Sequence, residues 1–195
     1  RIPKYGFYCT GRYAEAEQAS SKAIELAPDR GGSYADRGQA RTEQGKLGEG
    51  LDDYLKALER LPDDSGVLRD VGLIHMKGQR ALQALPYLER SRALGNRDVA
   101  VLLGECLFQL ERLEEAEAAF TQAAKDLPKD PMVLFGRARV RQQLEKRTEA
   151  IADLDGAVAL APAFAEAIGL RGVIKLEVKR RTEAAADLKR AIELK

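Results

Sequence analysis

Four prolines set the frame of this chain. Pro28, Pro62, Pro128 and Pro162 fall at intervals of 34, 66 and 34 residues, and each follows an apolar residue: Ala27, Leu61, Leu127 and Ala161. A proline just past an apolar helical run stops the helix, because its ring cannot extend the backbone hydrogen-bond ladder. A stop that returns every 34 residues marks a repeated helical unit rather than one globular core. The middle interval is one 34-residue unit plus one of 32. The 195 residues therefore read as a partial unit over 1–30, then units 31–64, 65–96, 97–130, 131–164 and 165–195.

Counting from the start of each full unit, the eighth residue is Gly38, Gly72, Gly104, Ala138 or Gly172, and the twentieth is Gly50, Ala84, Ala116, Ala150 or Ala184. The twenty-seventh is Ala57, Ser91, Ala123, Ala157 or Ala191, while the twenty-fourth is large: Tyr54, Leu88, Phe120, Leu154 or Leu188. Small residues on two helix faces with a large one between them let paired helices approach closely and interlock. The partial unit keeps Ala16, Ala23 and Pro28, with Gly11 and Tyr13 at the turn before them and a short first helix starting at Pro3.

This small-large-small-Pro pattern resembles the tetratricopeptide repeat family, from about Tyr5 to Lys195. The place of that family's signature Trp is taken by Tyr34, Leu68, Ala100, Leu134 and Ile168. The resemblance implies an all-α fold: a right-handed α-solenoid of stacked antiparallel helix pairs, about five full units plus a truncated N-terminal one, forming a single domain over 1–195. First helices are expected near 31–44, 65–77, 97–110, 131–144 and 164–178, and second helices near 13–26, 47–60, 80–93, 113–126, 147–160 and 181–194. A chain starting at Arg1 rather than Met reads as a piece of a longer protein. Ile174, Leu176 and Val178 are expected to leave apolar surface near its end.

Composition narrows the function. Lys plus Arg is 32 against 31 for Asp plus Glu, so the net charge of +1 exerts no long-range pull on nucleic acid or an anionic membrane. Trp is absent and aromatics are 6%, which leaves no stacking platform for bases. The basic run Lys179-Arg180-Arg181, with Lys189 and Arg190, is balanced by Glu177, Glu183, Asp187 and Glu193 and reads as a solvated face. No uninterrupted apolar run of ~18 residues is present to insert in a bilayer. Cys9 and Cys106 lie about three repeats apart, beyond disulfide reach, and read as small buried hydrophobes. His75 stands where the family places a core aromatic and has no ligand partner nearby in sequence. With no nucleophile elbow, phosphate loop or metal-binding helix motif, neither catalytic residues, a metal nor a cofactor is expected, and the chain is read as no enzyme. No compartment is legible; the cytoplasm is the default expectation.

Two departures from the repeat follow their own logic. The seventh residue is Arg37, Arg137 and Arg171 in three units, where the twenty-third is Asp53, Asp153 and Asp187; in the other two units the pairs are Val71 with Tyr87 and Leu103 with Ala119. Charges that come and go together predict an ion pair clamping the two helices of a unit, with Arg137→Leu costing about 3 kcal/mol by stranding Asp153. The unit over 65–96 is two residues short, ends Leu94-Gly95-Asn96 and carries Pro86 inside its second helix, so a kink and an irregular stack are expected there.

The resemblance also implies that first helices line a concave groove and present residues two, five, six, nine, twelve and thirteen. In the middle of the chain these include Arg69, Asp70, Leu73, Met76, Val101, Leu102, Glu105, Phe108, Met132, Phe135, Arg139, Gln142 and Gln143. Some adaptors of the family hold an acidic chaperone tail with Lys and Asn at such positions; Leu73, Val101, Phe108 and Phe135 stand where those donors are needed. The mixture of apolar anchors with Gln and Arg suits a partner peptide or helix. The expected function is a protein-binding adaptor. The alternatives are a self-assembling scaffold, forming homo-oligomers through exposed end faces, and an interaction module of a larger enzyme or secretion component.

Overall fold

The computed structural model describes residues 12–194, and all regular structure among them is helical. The chain divides into two compact units, Arg1–Asn96 and Arg97–Lys195, and the division falls at the end of the short repeat. The first unit contains α1 (Tyr13–Leu26), α2 (Gly31–Glu43), α3 (Leu47–Arg60), α4 (Ser65–Lys77) and α5 (Ala81–Ala93). The second contains α6 (Ala100–Gln109), α7 (Leu113–Asp126), α8 (Pro131–Gln143), α9 (Arg147–Leu160), α10 (Ala165–Glu177) and α11 (Arg181–Glu193). The expected first helix at Pro3 and Cys9 lie outside the described residues.

Local chemistry sets the helix ends. Asp64 caps α4 by accepting from the backbone N–H of Gly66 and Val67 at 3.0 and 3.1 Å, and Asp130 caps α8 through Met132 N–H at 2.8 Å, with Pro131 opening the helix. The helix expected from Arg97 starts late: Arg97–Val99 form a 3-10 turn, and Val99 offers α6 no side-chain cap. Every first helix closes on a left-handed residue at the fifteenth position, namely Gly45, Gln79, Glu111, Glu145 and Lys179. The next N–H then reaches back five residues, as from Lys146 to Arg141 O at 2.8 Å and from Arg180 to Lys175 O at 2.8 Å. These bonds offset the ~1–2 kcal/mol that a non-glycine residue costs in that conformation, and they fold the second helix back on the first. α5 runs through Pro86 as one helix, although Pro86 cannot donate to Leu82.

Small residues then set the packing. Gly38 faces Tyr54, Gly72 faces Leu88, Gly104 faces Phe120 and Gly172 faces Leu188, each across the two helices of one repeat. A Cβ at Gly72 would fall 2.2 Å from Leu88 Cδ2, so only glycine admits that approach. In the first unit α2 packs on α1 and α3, and Tyr34, Tyr54, Val67, Val71 and Ile74 form a core. In the second unit Ala138, Leu154, Ala157, Ile168 and Ile174 form a core. Ile174 is thus fully buried and not surface, whereas Leu176, two residues on and across the helix, is exposed along with Val173. Cys106 is buried in α6. No helix among the described residues is long and apolar enough to cross a membrane.

Candidate functional site

The three covarying charge sets are brought together as two-pronged clamps. Arg37 donates to the Asp53 carboxylate at 2.8 and 2.7 Å, Arg137 to Asp153 at 2.9 and 2.6 Å, and Arg171 to Asp187 at 2.8 and 2.6 Å. All three aspartates are buried. Each also accepts from a second cation one helical turn further on: Arg41 at 2.9 Å, Arg141 at 2.8 Å and Lys175 at 2.8 Å. These eleventh-position cations were missed in the sequence, although a base four residues after each covarying Arg is the signal for them. With Arg141 also on Asp153, removal of Arg137 alone leaves that carboxylate half compensated. Hydrogen bonds donated to Asp53 and Asp187 hold the Arg37 and Arg171 guanidinium pKa values up. At Asp187, burial pushes the pKa up, but Arg171 and Lys175 outweigh it and the net shift is downward.

The clusters extend to the preceding second helix. Glu17 accepts from Arg41, Gln44 and Lys46, and Glu117, 100 residues later, accepts from Arg141 and Lys146. Lys46 and Arg41 lower the Glu17 pKa from 4.5 to about 2. A carboxyl more acidic in the folded state contributes stability at pH above its unfolded value, and that contribution is lost as pH falls from 4.5 towards 2. Glu17→Gln is therefore expected to flatten the stability profile in that window and leave its shape at pH 6–8 unchanged, as read from urea midpoints at stepped pH.

In the 65–96 repeat, one of the two that lack the Arg–Asp pair, His75 occupies the second cation's position and stacks on Tyr87 with ring centroids 5.8 Å apart. Burial, then the nearby Arg80, pushes the His75 pKa down. On the same α4, Arg69 donates to Asp70 at 2.9 and 2.7 Å, while burial, opposed by Arg69 and Tyr54, leaves the Asp70 pKa raised. Leu73 is half-buried, and Met76 is buried at 9% exposure.

In the second unit, the expected surface residues of α6 and α8 meet. Arg139 Nη1 donates to both Glu105 oxygens at 2.9 and 3.0 Å, and its guanidinium lies 4.7 Å over the Phe108 ring and 5.9 Å from that of Phe135. Phe135 in turn packs against Phe164, the residue before α10, at 4.9 Å. The cation over the ring face and the carboxylate beside it fix the Arg139 side chain in one orientation. Gln142 donates to Glu177 at 3.1 Å. Val101, Leu102, Phe108 and Phe135 are half-buried, Gln143 is exposed, and Met132 is 48% exposed. Glu105 and Arg139 are both ninth residues of consecutive repeats, a pairing legible from opposite charges one repeat apart; Phe164, outside the helices, carried no such signal.

Two family profiles described as tetratricopeptide repeat match the chain, over residues 7–65 and 75–139. No curated protein matches it by sequence. Among solved structures it is similar to YrrB, described as a TPR protein with an unusual peptide-binding site, at 22% identity and a TM-score of 0.80 over 92% of this chain and 94% of that one. It is similar to MamA of Desulfovibrio magneticus RS-1 at 16% identity and a TM-score of 0.80, over 85% of this chain and 95% of that one. A third likeness, to the APC/C hetero-tetramer Cut9–Hcn1, has 18% identity and a TM-score of 0.74 over 96% of this chain and 38% of that one. At these identities the likeness is one of fold. The repeat grammar, the helix pairs it forms and the matching profiles, which together span more than half of its residues, place this chain in the tetratricopeptide repeat family, whose helical repeats serve protein–protein interaction.

Proposed function

We propose that the chain is a non-catalytic adaptor that holds a partner peptide or helix on the first-helix surface of its second unit, around Arg139. The observation that carries this reading is the oriented Arg139 guanidinium, stacked on Phe108 and hydrogen-bonded to Glu105 on a half-exposed surface with Phe135 and the exposed Met132. Arginine and aromatic side chains held in one orientation lose little conformational entropy on binding, and they dominate interface energies for that reason. Met132 adds an adaptable apolar contact, and Gln143 adds a polar one at the edge. The peptide-binding description of YrrB, which shares the fold, supports the same class of partner.

A displayed peptide library selected on the purified protein tests this. Peptides enriched on wild type are expected to bind Phe108→Glu and Arg139→Ala at least ~10-fold more weakly, a loss of the size typical of an interface anchor. Circular dichroism confirms that both variants fold. Selected peptides that bind all three proteins equally would move the site off α6 and α8.

A further inference from the structure

The third repeat carries an unusual outer surface on its second helix. The eighteenth residue of the other second helices is Ala14, Gly48, Glu114, Thr148 or Thr182, every one exposed. In α5 it is Leu82, which is 70% exposed. One turn on, Pro86 is also exposed, and Tyr87 replaces the aspartate that anchors an ion cluster in three of the other repeats. Between α3 and α5 a pocket of about 480 Å³ opens, with Leu55 and Leu58 on one side, Pro86 and Tyr87 on the other, and the buried Leu68 of α4 also lining it. An apolar knob therefore stands one helical turn from an open, mainly apolar hollow wide enough to admit it.

We infer that this face pairs with the same face of a second copy of the chain, Leu82 of each copy entering the pocket of the other. A two-fold contact requires one patch to be both knob and hole, and this one is. Charge agrees with shape. Glu59 lines the pocket on its α3 side and Arg90 on its α5 side, where Arg90 donates to Asp63 at 2.7 Å, and Arg80 precedes the knob. Laid antiparallel about an axis near Pro86, α5 of one copy brings Leu82 to its partner's pocket and Arg80 to its partner's Glu59. Among the described residues Glu59 makes an exposed contact with Arg60 at 3.2 Å, which such a partner can replace. Helices of 13 and 14 residues are about 20 Å long, so the contact is small and the dimer is expected to dissociate in the micromolar range. This surface is formed by second helices of the first unit and is independent of the proposed peptide site on α6 and α8.

Sedimentation equilibrium of the purified chain up to ~200 µM, a range set by the micromolar expectation, tests the pairing. Wild type is expected to dimerise and Leu82→Glu to dissociate at least ~100-fold more readily, with an unchanged thermal melt at low concentration. Glu59→Arg and Arg80→Glu are each expected to weaken the dimer, and the two together to restore it to within a few-fold of wild type, because the swap rebuilds the cross-copy pair. A wild type that stays monomeric, a Leu82→Glu dimer as tight as wild type, or a double swap no tighter than its single parents overturns the assignment.

Discussion

Replacing Arg137 and Arg141 together with leucine is expected to destabilise the chain by ~3–5 kcal/mol, clearly more than the sum of the two single replacements at ~1 kcal/mol each. Asp153 is buried and accepts three charge-assisted hydrogen bonds, two from Arg137 and one from Arg141. Either arginine alone keeps a positive charge against the carboxylate, so a single loss removes hydrogen bonds and leaves the ion paired. The double loss leaves a buried charge with no compensation, and Asp153 must then protonate or drag in water. Adding Asp153→Leu to the double variant is expected to recover most of the loss, since a buried ion cluster and a well-packed apolar cluster of similar volume have comparable stability. Urea unfolding of the two single variants, the double and the triple variant closes the cycle. Strictly additive losses, or a triple variant no better than the double, would show that Asp153 is not held by these arginines.

The same cluster shows where the reading from sequence succeeds and where it stops. Arg137 and Asp153 were visible because each occupies a fixed place in a repeat and their identities change together, which makes one chain serve as its own comparison set. Arg141 was not, because its unit-to-unit series of Arg41, His75, Leu107, Arg141 and Lys175 mixes two cation types with a histidine and reads as surface variation until the helix turn aligns it with the aspartate. Most helix extents were legible, because prolines and small residues are local signals. The 3-10 turn of Arg97–Val99 ahead of α6 was not, since no residue there breaks a helix. Of the expected binding residues, Glu105, Phe108, Phe135 and Arg139 share one surface, yet Met76 is buried. Offsets along one helix place a side chain on a face, but its exposure depends on the size of its neighbours on the next helix, which no offset encodes.

Phe120 is where those neighbours are least forgiving, and Phe120→Ala is expected to cost ~3–5 kcal/mol. Its ring is fully buried and lies against two glycines on two helices, Gly104 of α6 and Gly136 of α8. A Cβ at Gly136 would sit 2.4 Å from Phe120 Cε1, and one at Gly104 would sit 2.7 Å from Phe120 Cζ, so the ring cannot retreat from one helix without meeting the other. Gly136→Ala should therefore destabilise by ~1–3 kcal/mol even though alanine is the better helix former by about 1 kcal/mol. Gly48→Ala is the control: it is also helical and nothing lies within 4 Å of its Cβ position, so only the propensity gain remains and stability should rise slightly. Pairing Gly136→Ala with Phe120→Leu gives the new methyl the space of the lost ring atoms, and the double variant is expected to lose less than the two single losses added. If Gly136→Ala were as harmless as Gly48→Ala in urea unfolding, the close approach of α8 to α7 would not be what holds Phe120 in place, and the small-large alternation would be a pattern without a packing role at this site.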